Sequence, residues 1–393
     1  MRVLILGCDG YIGWPLTLHL LKCDYEVYGL DTFTRRKRVN DIGSNSITPI
    51  ASKLERNEIL RSYPNFPEDV ANIDMLDYEN LGRLISYCEP DAIIHLAEQP
   101  SASWSMRDAK SAMQTQFDNV IGTLNLLWEM KEYCPDAHLI KLSSIGEYGT
   151  PDCGIPEGEI EEICSTIEYH NPHIATQVKC PMSGLSFPRS PGSFYHLSEV
   201  HNTHNIIFAC KAWGLQSTNI MQGVVFGLSD EEEDLLTRLD YDEHFGTVIN
   251  RFCAQAIIGH PLTVYGKGGQ TRGFLSLKDS IQYLTFALGN PSYENKYRTL
   301  NQFEFTYTIN GLAQKVVDAA KKHDIDATIQ HINNPRTEAE SHYYNPAHQK
   351  LFNIGYGPTK DIDKELENLI ENIKKYKDRI ISDVIMPKTD WRL

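Results

Sequence analysis

The stretch that decides the fold is RVLILGCDGYIGWPLTLHLLKCDYEVYGLD, Arg2 to Asp31. Its first run, RVLIL, is a string of apolar residues that reads as a buried strand, and GWPLTLHLLK carries apolar residues at helical spacing. EVYGLD then returns to strand, so the whole is a βαβ unit. Between the first strand and the helix stands Gly7-Cys-Asp9-Gly10-Tyr11-Ile12-Gly13, a G-x-x-G-x-x-G turn. Glycines there let the backbone turn tightly against a ligand, and the free N–H groups of the helix N-terminus favour a pyrophosphate. Asp31 ends the second strand, where a carboxylate accepts hydrogen bonds from both hydroxyls of an adenosine ribose and repels a 2'-phosphate. The pattern therefore favours NAD over NADP. Arg35 and Arg36 either belong to this pocket or form a solvated basic corner. Asp74 either meets the adenine edge or shapes a turn.

Outward from this unit the alternation continues. DAIIHLAEQ (91–99) reads as strand, 105–134 as a long helix, HLIKLSSIGEYG (138–149) as strand, 194–215 as helix and STNIMQGVVFG (217–227) as strand. Strands joined by helical crossovers make an α/β fold, a Rossmann-type doubly wound parallel sheet, with ligands at the carboxyl ends of the strands. Residues 1–222, joined by about 273–300, are expected to form the NAD-binding domain. Within it, 150–192 is rich in Pro, Gly, Ser and Glu and reads as an insertion over the active site. Residues 223–272 and 301–393, including a charged helix from Ile362 to Ile381, are expected to form a smaller substrate-binding domain.

The formal net charge of -15 argues against a grip on nucleic-acid phosphates, which needs a basic face. Nine scattered cysteines with no C-x-x-C pair predict reduced thiols and no metal centre. A strand beginning at Arg2 and the lack of a long apolar run predict no export signal and no membrane insertion, hence a cytoplasmic protein.

Ser143 and Ser144 close HLIKLSS at the carboxyl edge of the sheet, and Tyr195 opens the next helix in SFYHLSEV (193–200). A strand-end hydroxyl that holds a substrate hydroxyl, beside a tyrosine that removes its proton, is a coherent acid–base pair. In nicotinamide enzymes such a tyrosine is commonly followed four residues later by lysine. Here that place is held by Glu199.

With these blocks the sequence resembles the extended short-chain dehydrogenase/reductases and, more narrowly, the UDP-sulfoquinovose synthases. The resemblance rests on GCDGYIGW, TPIAS (48–52), EQPSAS (98–103), TQFDNVIGTLN (115–125), GEYGTP (146–151), SFYHLS, NRFCAQAIIGHPLTVYGKGGQTRG (250–273) and NPRTEAESHYYN (334–345). It implies oxidation of UDP-glucose at C4 by tightly held NAD, loss of water across C5 and C6, addition of sulfite to the 5,6-alkene, and return of hydride to C4. It also implies a catalytic set of Ser144, Tyr195 and Glu147, with Glu199 at the lysine position. The cofactor set is Gly7, Asp9, Gly10, Tyr11, Ile12, Gly13, Asp31, Arg35, Arg36, Asp74, Met75, Leu96, Ala97, Asn119 and Tyr195. For UDP-glucose it implies Gln99, Ser101, Ser144, Gln222, Thr247, Asn250, Arg251, Val264, Tyr265, Gln270, Arg272, Arg336 and Glu338, with Arg272 and Arg336 on the diphosphate and Val264 and Tyr265 framing the uracil. Pro100 and Met221 depart from the pattern, which carries arginine and asparagine there. The resemblance further implies a homodimer through the helices at 105–134 and 195–214.

Glu199 should share a helix face with Tyr195. A unit charge at about 4 Å is worth about 4 kcal/mol at an effective dielectric of 20, so a carboxylate in place of lysine disfavours the tyrosinate strongly. Three accounts stand open: an engineered change that disables turnover, a natural nucleotide-sugar binder without catalysis, or replacement of the lysine by His196 or a neighbouring lysine. A UDP-glucose 4-epimerase is the alternative enzyme.

Overall fold

Strand β1 (Arg2–Leu6) is buried along nearly its whole length, because a central parallel strand is covered on both faces and has no solvent side to alternate with. The structure, a computed structural model, describes residues 1–158, 186–229, 232, 235–292, 296–353, 355–357 and 361–392. After the glycine turn, helix α1 (Gly13–Lys22) leads to β2 (Glu26–Leu30), which pairs in parallel with β1. The chain then passes helix α2 (Tyr78–Cys88) to β3 (Ala92–His95), which pairs with the other edge of β1. This reversal of direction leaves a crevice at the carboxyl ends of β1 and β3, where ligands of such sheets bind.

Strands β4 (His138–Ser144), β5 (Gln216–Gln222) and β9 (Tyr297–Gln302) complete a six-stranded parallel sheet in the order β2-β1-β3-β4-β5-β9. Alternate residues of the same strands feed two cores. Val3, Ile5, Ile94 and Ile140 pack towards α1, while Leu4, Leu6, Ile93 and Leu139 face the opposite layer. That layer contains α3 (Ala109–Gln116), α4 (Gly122–Tyr133) and α5 (Phe194–Trp213).

A second lobe holds β6 (Val224–Phe226), β8 (Thr271–Ser276) and β10 (Phe305–Thr308) in one small sheet, and β7 (Leu262–Tyr265) with β11 (Ile329–Ile332) in another. Its core lies among α6 (Val248–Ile257), α8 (Ile309–Lys321) and α9 (Ile362–Lys374). The stretch from Gly273 runs through β8, and helix α7 (Leu277–Gly289) then carries the chain back to β9 at the edge of the main sheet.

Three elements differ from the reading of the sequence. The helix expected over 105–134 is broken, because Asp108 caps α3 by accepting from Ser111 N–H at 2.7 Å and a π turn, Phe117–Ile121, separates α3 from α4. The helix expected to reach Ile381 ends at Lys374, after which Val384 and Ile385 fold into the second core. Of the insertion expected at 150–192, residues 159–185 lie outside the described residues.

Candidate active site

A cleft of about 1000 Å³ runs between the two lobes. Its cofactor end is built by the glycine turn. A Cβ on Gly13 would lie 2.0 Å from the Gly7 carbonyl oxygen, and one on Gly7 would lie 2.8 Å from the Leu96 carbonyl carbon, so only glycine allows this approach. Asp31 lines the cleft, and its carboxylate accepts from Asp9 N–H at 2.8 Å and Phe33 N–H at 2.6 Å. Burial, reinforced by the nearby Asp9 carboxylate, raises the Asp31 carboxyl to about 6. Gly10, Tyr11, Ile12, Asp74, Met75, Leu96 and Ala97 line the same end. Arg35 also lines it, with Nη1 buried and without a hydrogen-bond partner among the described residues. These features fit a dinucleotide.

Other expected cofactor residues stand behind the wall. The Asp9 carboxylate is held by Arg56 and by Arg36, whose Nε donates at 2.7 Å, so Asp9 and Arg36 lock the turn instead of facing the cleft. Asn119 is buried and bonds Gln99 N–H at 2.8 Å and Ser198 Oγ at 2.9 Å.

At the chemical centre, Ser144 and Tyr195 both line the cleft. The α5 N-terminus is capped by Ser193, and Tyr195 N–H donates to Ser105 Oγ at 3.0 Å, which fixes the start of that helix. The Tyr195 phenol is pushed well above its ordinary range by burial and then by Glu199, Glu98 and Glu147, while a hydrogen bond with Ser144 acts in the opposite sense.

Glu199 is buried and turned away from the cleft, towards β4. Its Oε2 accepts from Lys141 Nζ at 2.9 Å and from Ser143 Oγ at 2.7 Å. Lys141 Nζ donates equally to Glu98 Oε2 at 2.8 Å. Both carboxylates and the ammonium are out of water. Glu98 is raised well above the carboxylate range by burial and by Glu199, whereas Lys141 outweighs burial and holds Glu199 below its usual value. The two carboxyl groups are thus pushed in opposite directions, with Lys141 set between them.

The lysine beside Glu199 is therefore Lys141, on the neighbouring strand. His196 lines the cleft, but burial lowers it to about 4, so it is neutral and supplies no cation at neutral pH.

Glu147 is likewise behind the wall. It accepts from Thr203 Oγ1 at 3.0 Å and from Arg189 Nε at 2.7 Å, stands beside the Ser143 hydroxyl and is fully buried. This geometry braces the loop after β4 and keeps the carboxylate out of the cleft lining.

Most residues expected on the nucleotide side line the cleft: Gln99, Ser101, Gln222, Thr247, Asn250, Arg251, Tyr265, Gln270, Arg272, Arg336 and Glu338. Their chemistry divides them. Gln99 is saturated by Ser101 and Thr115, and the Ser101 hydroxyl donates to the His244 carbonyl, so both shape the loop. Arg272 is paired with Glu338 and His342. By contrast, Thr247 Oγ1, Arg251 Nε and both amide atoms of Gln270 are buried without partners among the described residues. Val264 lies in the second core. The sequence reading missed Glu98 and Lys141, which a charged residue inside the apolar strand HLIKLSS signals, and Trp391, which lines the cleft with no sequence signal.

The family model described as the NAD dependent epimerase/dehydratase family matches residues 3–301. Over the whole chain, the sequence is 43% identical to the chloroplastic UDP-sulfoquinovose synthase of Spinacia oleracea, covering 79% of it. It is 39% identical to the UDP-sulfoquinovose synthase of Sulfolobus acidocaldarius, covering 98% of that protein. Among solved structures, a UDP-glucuronic acid 4-epimerase from Bacillus cereus in complex with UDP-glucuronic acid and NAD superposes with a TM-score of 0.69 at 21% identity, over 95% of this chain and 99% of that one. The chain therefore belongs to the NAD-dependent epimerase/dehydratase family, in the branch of the UDP-sulfoquinovose synthases.

Proposed function

We propose that the chain binds UDP-glucose beside NAD and converts it, with sulfite, to UDP-sulfoquinovose, at a rate held down by Glu199. The observation that carries the substrate half is the set of bare polar atoms on Thr247, Arg251 and Gln270. A buried polar group left unpaired costs about 1–3 kcal/mol, so several in one cleft argue for a polar ligand that satisfies them. NAD, held by the glycine turn and Asp31, would supply hydride-transfer chemistry at C4 when bound. Tyr195 takes the proton of the C4 hydroxyl while Ser144 orients that hydroxyl. Arg336, which has no carboxylate partner among the described residues, is a cation available to the diphosphate. Incubating an excess of the protein with UDP-glucose, with and without sulfite, tests this reading. A sulfite-dependent sulfonated nucleotide sugar is expected. UDP-galactose formed without sulfite would replace it with the epimerase reading.

NAD affinity should depend on pH through Asp31. With its carboxyl raised to about 6, the group is an anion above that pH and neutral below it, and the anion is the form that accepts from the ribose. Affinity of the NAD-stripped protein is therefore expected to fall up to about tenfold between pH 7 and pH 5, and to lose this dependence in Asp31→Asn. Calorimetric titration reads both. A flat profile in the unaltered chain would separate Asp31 from the cofactor.

We further place a homodimer contact on the face where Met113, Phe117, Ile121 and Trp128 of the α3–α4 run and Phe194 and Phe208 of α5 stand exposed, since a patch of this kind marks an interface. Sedimentation at micromolar concentration checks it, and Trp128→Glu with Phe208→Glu should give the monomer. Among the described residues no helix is long and apolar enough to cross a membrane. A cytoplasmic setting suits the seven free cysteines among those residues, and fractionation of expressing cells tests it.

A further inference from the structure

Residues 389–392 cross the mouth of the cleft and are tied to both of its walls. On one side Thr389 N–H donates to Glu243 Oε1 at 2.7 Å. On the other, Trp391 N–H donates to the Pro335 carbonyl at 2.9 Å and the Arg392 guanidinium donates to the Asn334 carbonyl. Between these anchors the indole of Trp391 lines the cleft. The Arg336 guanidinium stands over it, 5.3 Å from the ring centroid, and is 5.9 Å from the ring of Tyr265. The only polar side-chain contact of that guanidinium among the described residues is Ser103 Oγ, at 3.5 Å.

Arg336 is thus a cation held by aromatic faces, with its charge free, whereas Arg272 is already paired with Glu338. We propose that Trp391 is a binding residue for the nucleoside diphosphate of the substrate, acting with Arg336: it holds the guanidinium extended into the cleft and covers the ion pair that forms there. Three physical effects act together. The face of an indole attracts a guanidinium. An arginine already fixed in its bound rotamer loses less freedom when the ligand arrives. Excluding water lowers the local dielectric and strengthens the attraction between guanidinium and diphosphate.

This inference rests on the reading that the cleft takes a UDP-sugar. A purely structural role for Trp391 is the competing account, and it makes a different prediction. Val384 and Ile385 anchor the preceding segment in the second core, so the backbone path across the mouth does not depend on the indole.

The test is calorimetric titration of the full chain, NAD-loaded, with UDP itself. Trp391→Ala is expected to weaken UDP binding about tenfold, and Trp391→Phe by no more than about threefold, because a phenyl ring keeps part of the cation–π contact. If Trp391 acts through Arg336, then Trp391→Ala in an Arg336→Ala background should cost no more than about a further twofold. Unchanged affinity in Trp391→Ala, or losses that simply multiply in the double variant, would overturn the proposal. A thermal midpoint lowered in Trp391→Ala with UDP affinity intact would assign the residue a structural role instead. Failure of the unaltered chain to bind UDP would remove the UDP-sugar reading itself, whereas loss of sulfite-dependent product with UDP binding intact would leave this inference standing.

Discussion

Glu199→Lys is expected to raise the rate of product formation from UDP-glucose and sulfite by about 100-fold at neutral pH. The reasoning begins with Tyr195, which must lose its proton to act as a base and is held well above its ordinary value by burial and three carboxyl groups, Glu199 first among them. A unit charge at about 4 Å contributes about 4 kcal/mol at an effective dielectric of 20, so exchanging anion for cation moves the balance by about 8 kcal/mol before screening. Two compensations shrink that figure. Glu199 is already neutralised by Lys141 at 2.9 Å, and a lysine at 199 would be offset in part by the neighbouring Glu98 carboxyl group. If about a third survives, roughly 2.7 kcal/mol remains, which is the 100-fold quoted.

Glu199→Gln separates the two halves of the effect. It removes the anion without supplying a cation, so its gain should be much smaller. The pH profile carries the sign. A tyrosine with a raised value is a base only at alkaline pH, so the unaltered chain should gain activity as pH rises, and the lysine variant should do so at lower pH. A lysine variant no faster than the glutamine variant would sink the view that the lost cation limits this enzyme.

How much of this was legible before the structure depends on the residue. The first βαβ unit was legible because each of its parts is local: an apolar strand, a turn only glycine can make, and a helix that starts where the turn ends. The parallel sheet followed from the same alternation repeated along the chain. The direction in which a strand-end carboxylate points was not legible. Glu147 is claimed by Arg189, 42 positions further on and across the insertion, through a bond of 2.7 Å. No local pattern announces such a partner. Asp9 is a similar case, since Arg36 and Arg56 reach it from separate helices and turn a residue of the glycine turn inward. Glu199 itself stood out as a wrong charge, yet its compensation lay in Lys141, on a strand that contributes no side chain to the Tyr-x-x-x-Lys pattern. A lone ammonium in a strand buried on both faces has to have an anionic partner, and that rule applied to HLIKLSS would have pointed to one.

Lys141→Met follows from the same balance and should destabilise the fold by about 3–5 kcal/mol, the usual effect of removing one partner from a buried ion pair. Glu98 and Glu199 would then share a buried site with no cation, and one carboxylate would have to stay ionised unpaired or take up a proton. Changing Glu199→Gln in the same chain removes that conflict, because the amide can donate to Glu98 and no buried anion is left without a partner. Most of the loss should therefore return in the double variant, as it does when both members of a buried pair are replaced together. The pH dependence fixes the cause. Lys141 holds Glu199 below its unfolded value, so this contribution to stability is fully present above about pH 4.3 and is lost as pH falls through the lower value of the folded state. The deficit of Lys141→Met should accordingly be largest at neutral pH and shrink in acid, where Glu199 becomes neutral in either chain. Denaturant midpoints measured from pH 7 down to about pH 2 report all of this. A lysine-to-methionine variant as stable as the unaltered chain at pH 7, or a deficit that grows as the solution is acidified, would mean that Glu199 is not held by Lys141, and the case for a rebuilt centre behind Tyr195 would fall with it.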